Sequence, residues 1–321
     1  MKKTIILIMC IIMLLPLNVF ANPNLGSVNP ETIKDINLSY DELWLQEILE
    51  YEKRIGKIVD DVFGTDGVFL SLSISDRESD RKKFVHYVIE NYNKFTDEQK
   101  NELNGYIIGY AEGVDDNDIR EFIHSKKQAK NNIVLASSYK PLKAREYAED
   151  YYYYSNIDEY PDLTFIGGDC ANFVSQCIHY AGKEMDAEWY ITKLNNDNNL
   201  PDTIKQFNES WDVADPSPWI SAKEFGIYWS SNALHTKTYS VSDYLALSTQ
   251  LVNGYATGDV VMIYKKAIIN YYGYHTMLIT KVDGTDYLYS GHTESRFDNN
   301  LTDALDNYTS SSYKIKFFAM Y

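Results

Sequence analysis

The stretch Gly167-Gly168-Asp169-Cys170-Ala171-Asn172-Phe173-Val174-Ser175-Gln176-Cys177-Ile178-His179-Tyr180-Ala181-Gly182 decides how this chain is read. With a helix begun at Cys170, steps of about 100° per residue bring Phe173, Val174, Cys177, Ile178 and Ala181 within about 80° of Cys170, on one apolar face. Asn172, Gln176 and His179 fall on the opposite, polar face. Gly182 supplies a residue that accepts φ > 0 just past the end. The spacing predicts a short amphipathic helix with a thiol in its first turn. There the unpaired N–H groups and the positive end of the helix dipole favour an anion, so such a cysteine ionises more readily than a free one at about 8.5. Gly167 and Gly168 let the backbone turn sharply into the helix and leave room in front of the sulfur. The alternative for Cys170 is a small core residue, since unoxidised cysteine is among the most buried residue types. Cys177, two turns on inside the apolar stripe and with no glycine entry, reads as core.

At the N-terminus, Lys2 and Lys3 precede an apolar run from Ile5 to Leu17 and then Val19-Phe20-Ala21, a small-residue cleavage pattern. The run is short and no second one follows, so residues 1–21 read as a signal peptide rather than a membrane anchor. The mature protein is expected to be secreted or cell-wall associated. Cys10 follows Met9 inside the apolar run, which argues against a lipoprotein. In the exported chain Cys170 and Cys177 remain. Seven residues of helix put their Cα atoms about 10.5 Å apart, whereas a disulfide needs less than about 7 Å. They do not pair with each other, and their spacing fits no zinc or haem motif. A formal net charge of −16 disfavours nucleic acid and anionic lipid as partners. The 28 tyrosines, clustered at Tyr151 to Tyr154, offer faces that stack on sugars, although ordinary packing accounts for most of them.

The mature length exceeds the usual single core, so two regions are expected: a mostly α-helical one over 22–135 and a second over 136–321. In the first, Leu45, Ile48, Leu49 and Ile55 recur at helical spacing, as do Val85, Val88, Tyr92 and Phe95, and Thr96 with Gln99 forms a capping-box signature. His86 and His124 read as having no partners. The run Asp115, Asp116, Asp118 reads as a solvated loop, because Ile119 stands where a calcium loop needs a ligand. A helix is expected to start at Pro141, with others over about 221–229 and 242–252. From Gly258 the pattern changes to strands: Gly258–Tyr264, His275–Val282, Tyr287–His292 and Tyr313–Ala319, with a turn at Asp283-Gly284-Thr285-Asp286. The fold class is thus α+β, helices first and then an antiparallel sheet.

Thiol chemistry needs a base to take the sulfur's proton and return it to the leaving group, and histidine titrates in the right range. His179 lies on the far face of the Cys170 helix and His235 in an unpatterned loop. His275 heads an apolar strand, from which a side chain can project toward a packed helix terminus, and His292 is the other candidate. If Val282 faces Tyr287 across the turn, the same register puts Met277 opposite His292 and His275 opposite Glu294. His292 or Glu294 would then hold the His275 ring, with Asn299 more remote. A cross-strand site of His275, His292, Glu294 and Asp298 would suit zinc, but it leaves the glycine-entered cysteine unexplained, so no metal or cofactor is expected.

Gly168 to Gln176, the later Gly258-Asp259-Val260, and His275-Thr276 followed by Ser290-Gly291-His292-Thr293 resemble the amidase domain family of exported Gram-positive proteins. The resemblance runs from about Arg145 to about Tyr313. Its order of parts is also similar to NlpC-type and CHAP-type cell-wall cysteine peptidases. It departs from that pattern at Ala171, where a hydroxyl residue is common. The resemblance implies a papain-like fold for residues 136–321, with Cys170 as nucleophile, His275 as base, a third-strand polar residue such as His292 as orienter, and an amide bond in peptidoglycan as substrate. A noncatalytic wall- or glycan-binding module using Tyr and Trp faces is the rival, and acyl transfer at the same site a third possibility. The helical region lies outside the resemblance.

Overall fold

The structure, a computed structural model, describes residues 39–131, 139–166, 168–194, 198–292 and 295–321. The expected signal peptide, the Gly167 turn and Glu294 lie outside the described residues.

The first region is helical: α1 (Tyr40–Phe63), α2 (Val68–Ser73), α3 (Glu78–Glu90), α4 (Asp97–Ala111) and α5 (Asn117–Asn131). Capping boxes start α1 at Ser39 with Glu42 and α4 at Thr96 with Gln99, each satisfying N–H groups that the first turn leaves over. The α1 stripe of Trp44, Ile48, Tyr51, Ile55 and Val59 is buried with Phe84, Val88, Leu103 and Tyr106. Each such side chain contributes about 1.5–3 kcal/mol of burial. Tyr272, from the sheet, belongs to the same core, and its hydroxyl donates to Glu52 at 3.1 Å. Glu52 in turn pairs at 2.7 Å with Arg81, both fully buried.

Two expectations for this region are corrected. His86 Nε2 lies 3.1 Å from Asp116 Oδ2, so it has a partner. Asp116 is buried rather than solvated, also bridging to Lys82 at 2.8 Å and accepting from the Ile119 N–H as α5 begins.

The second region opens with α6 (Pro141–Tyr151), which has its proline in the first turn as expected, and α7 (Cys170–Tyr180). A small antiparallel pair follows, β1 (Ile191–Lys193) with β2 (Trp211–Val213), around α8 (Ile204–Ser210). Next come α9 (Ala222–Asn232), β3 (Thr236–Ser240) and α10 (Val241–Leu245). The expected longer helix stops at Leu245, because the Gln250 N–H is bonded to the Thr285 carbonyl, outside any helical ladder. Then β4 (Val260–Lys266), β5 (Tyr271–Asp283), β6 (Asp286–Gly291), β7 (Arg296–Asn300), α11 (Leu301–Leu305) and β8 (Tyr313–Phe318) complete the chain.

The main sheet is six-stranded and antiparallel, in the order β3-β8-β4-β5-β6-β7. Both faces are covered, which is why β4 reads as an unbroken apolar run. Val260, Met262, Leu278 and Phe318 pack under α6, α7 and α9, while Val261, Ile263, Met277 and Ile315 pack with α10 and α11 on the other side. The fold is α+β, as the sequence pattern indicates.

Candidate active site

Helix α7 begins at Cys170, and Gly182, at φ 104°, follows its end. The expected apolar face is present, with Phe173, Val174, Cys177 and Ile178 buried on it. The expected polar face is not solvated: Asn172 and Gln176 are buried too. Gln176 Oε1 accepts from the Tyr147 hydroxyl at 2.7 Å. Asn172 Nδ2 donates to the Pro161 carbonyl at 2.9 Å and to Asp169 Oδ1 at 2.7 Å. Partners from the preceding segment thus let α7 sit inside the domain rather than on its surface. Cys170 is 4% exposed and Cys177 fully buried. Burial pushes the Cys177 thiol well above its ordinary range, as expected of a core cysteine.

Asp169 stands at the N-cap position of α7, yet its side chain makes no capping bond to the helix. The carboxylate is used elsewhere. Oδ1 accepts from Asn172 Nδ2 and, at 3.3 Å, from the Leu163 N–H, and Oδ2 lies 2.6 Å from His292 Nδ1. The first-turn amides of α7 are therefore left without a side-chain cap, which is the condition for receiving a developing negative charge there.

His292 lies with its ring stacked on Phe173 at 4.5 Å and 12°. Its second nitrogen, Nε2, is 2.8 Å from the Tyr151 carbonyl. A carboxylate and a carbonyl only accept, so the protonated ring is the form that satisfies both contacts. Burial alone would lower the His292 pKa, but the hydrogen bond to Asp169, its charge and the Tyr151 carbonyl outweigh that and raise it.

This placement corrects the expected register. Val282 does face Tyr287, but Thr280 is an extra residue between the pairs Lys281 with Leu288 and Ile279 with Tyr289, so Leu278 faces Ser290. A one-residue slip moves every later side chain to the other face. His292 therefore turns to the α7 side, where it meets Asp169.

His275 follows a second bulge. Ile263 faces His275 and Tyr264 faces Gly273, which leaves Tyr274 as the extra residue. The His275 imidazole lies against the end of β6, where Nε2 is 3.6 Å from the position a Cβ would take at Gly291.

Tyr40, in the first turn of α1, joins the two halves of this region. Its hydroxyl donates to the Tyr274 carbonyl at 3.1 Å. Its pKa is raised by burial first and then by nearby Cys170 and Glu47. Neither Tyr40 nor Asp169 stands out as a functional side chain in the sequence. Asp169 is flagged only by adjoining Cys170, and Tyr40 by nothing local.

The remaining candidates are apart. His179 Nδ1 is 2.8 Å from the Lys183 carbonyl and His235 Nε2 is 3.1 Å from the Gly254 carbonyl. Among the described residues no three His, Cys, Asp or Glu side chains gather as a metal site, and no helix is long and apolar enough to cross a membrane. Tyr153 and Tyr154 are exposed just past Tyr151, whose carbonyl holds His292. Residues 138–320 match the family model described as "Putative amidase domain", more than half of the chain. No curated protein and no solved structure matches.

Proposed function

Because this chain belongs to the amidase domain family that its residues 138–320 match, we propose that it is an exported, cysteine-dependent amide hydrolase acting on peptidoglycan. Family membership supports amide hydrolysis. The cysteine assignment rests on one observation above the rest: Cys170 is the first residue of α7, at an end whose N-cap carboxylate is turned away to His292.

In this reading Cys170 is the nucleophile and His275 the base. His292, with both ring nitrogens engaged by the Asp169 carboxylate and the Tyr151 carbonyl, holds Asp169 and the start of α7 in place. Tyr40 supports the pairing of Cys170 with the β5 bulge, since it bonds the Tyr274 carbonyl and lies within electrostatic reach of the thiol. His275 takes the thiol proton and the sulfur attacks the amide carbonyl carbon, with first-turn N–H groups of α7 stabilising the oxyanion. The C–N bond breaks as the proton passes from His275 to the departing amine. Water, deprotonated by His275, then cleaves the thioester and frees Cys170.

A papain-like arrangement of helix and sheet, a secreted or wall-bound location and kinship with the NlpC and CHAP types go with this reading. The exposed Tyr153 and Tyr154 suit a sugar polymer.

The test is mass spectrometry of soluble products after purified peptidoglycan meets the mature protein, with Cys170→Ala beside it. Fragments released only by the intact cysteine are expected, and they identify the bond. Retention on peptidoglycan with no fragments from either protein would replace the enzyme by a binding module.

A further inference from the structure

We infer that the first turn of α1 is a working part of the reactive site: Tyr40 and Asp41 are positioning residues that hold the β5 bulge on which His275 is carried. The inference rests on the reading of Cys170 and His275 given above, and it assigns a task to the helical region that lies outside the amidase match.

A bulged residue falls out of the strand ladder, and its neighbouring carbonyls must find partners elsewhere. At this bulge α1 supplies them. Trp44 Nε1 donates to the Gly273 carbonyl at 3.1 Å, and the Tyr40 hydroxyl to the Tyr274 carbonyl at 3.1 Å. The bulged side chain is gripped as well. The Tyr274 hydroxyl donates to Asp41 Oδ1 at 2.6 Å, and Lys265 Nζ, 2.7 Å from the same oxygen, stands 4.7 Å over the Tyr274 ring. The Tyr40 and Tyr274 rings meet edge to face, with centroids 5.3 Å apart. The capping box of Ser39 and Glu42 fixes the turn from which Tyr40 and Asp41 project.

These contacts converge on the peptide that leads into His275. A side chain one residue past a bulge is aimed by the bulge's dihedral angles, so whatever fixes Tyr274 fixes the direction of the His275 imidazole. The titratable groups at this corner are Tyr40, Asp41 and Glu47 on α1, Lys265 on β4, and Tyr308 and Tyr313 beyond the Tyr274 ring.

The experiment uses the full mature chain with Tyr40→Phe and, separately, Asp41→Asn. Both keep size and shape, and two variants guard against one failing to fold. Cys170 alkylation by iodoacetamide is followed against pH, together with fragment release from peptidoglycan and thermal unfolding. The expected result for each variant is a melting temperature within about 3 °C of the parent, a Cys170 alkylation midpoint moved by about one pH unit toward that of a free thiol, and about tenfold slower release. A merely structural contact would change the melting temperature without moving the alkylation midpoint. An unchanged midpoint and release in folded variants, beside a parent whose Cys170 reacts at low pH, would overturn the positioning role alone. A parent whose Cys170 reacts like a free thiol and releases nothing would overturn the cysteine reading and this inference together.

Discussion

His292 Nδ1 lies 2.6 Å from Asp169 Oδ2, a contact across 123 residues that ties the end of β6 to the residue just before Cys170. Because Nε2 of the same ring reaches the Tyr151 carbonyl, His292 binds α6, α7 and the sheet into one corner. Removing the carboxylate by Asp169→Asn is expected to cost about 1–3 kcal/mol. The pH dependence follows from the raised His292 pKa. Protonation of His292 favours the folded state, so its contribution is complete below about 6.5, the unfolded value, and fades as pH rises through the higher folded value. Denaturant midpoints should therefore fall over that window in the parent and vary less in Asp169→Asn. Equal pH slopes would contradict the contact.

Cys170 and Cys177 should behave as differently as their places in α7 suggest. Cys177 is fully buried, and burial pushes its thiol up. Brief iodoacetamide treatment of the native protein, read by peptide mapping, is expected to label Cys170 at least about a hundredfold faster than Cys177. Comparable labelling would remove the distinction on which the nucleophile assignment depends.

Gly273→Ala should strike the site through packing. A Cβ there would come 2.3 Å from the Ala222 carbonyl oxygen and 2.8 Å from Met262 Cε, so α9 or β5 must shift. Overpacking of this kind costs about 1–3 kcal/mol. Thermal unfolding should show a drop of several degrees, and fragment release should fall further than stability does, since Gly273 adjoins the Tyr274 bulge. A fully stable and active variant would show that the contact between α9 and β5 is loose.

Asp116 offers a test at the acid end. The Lys82 hydrogen bond first, then His86 and the Ile119 N–H, outweigh burial and bring its pKa down to about 2 from 3.8. A depressed carboxylate contributes stability above its unfolded value, and loses it as pH falls through the folded one. The melting-temperature gap between the parent and Asp116→Ala should thus be widest above pH 4, by a few degrees, and shrink toward pH 2. A gap that persists at pH 2 would assign the effect to shape rather than charge.

Much of the architecture was legible because its signals are local. The Cys170 helix follows from apolar spacing ended by Gly182, α4 from Thr96 with Gln99, α6 from Pro141, and β4 and β8 from their apolar patterns. β3 and β7 were missed because Thr236–Ser240 and Arg296–Asn300 are polar, and are strands only because β8 and β6 pair with them. Asn172 and Gln176 looked solvent-facing because a helical wheel shows polarity, whereas their burial depends on Pro161 and Tyr147 arriving as partners.

By itself the sequence determined the α+β class and a thiol at a helix start, with histidines in the strand region that follows. These depend on residues within a turn or two of each other, where spacing maps directly onto geometry. Only the tertiary structure decided which histidine faces which neighbour. The extra residues Thr280 and Tyr274 each shift the ladder by one, and since strand side chains alternate, each shift exchanges the faces. That sent His292 to Asp169, and left the β5 bulge to be held by Tyr40, more than two hundred residues away along the chain.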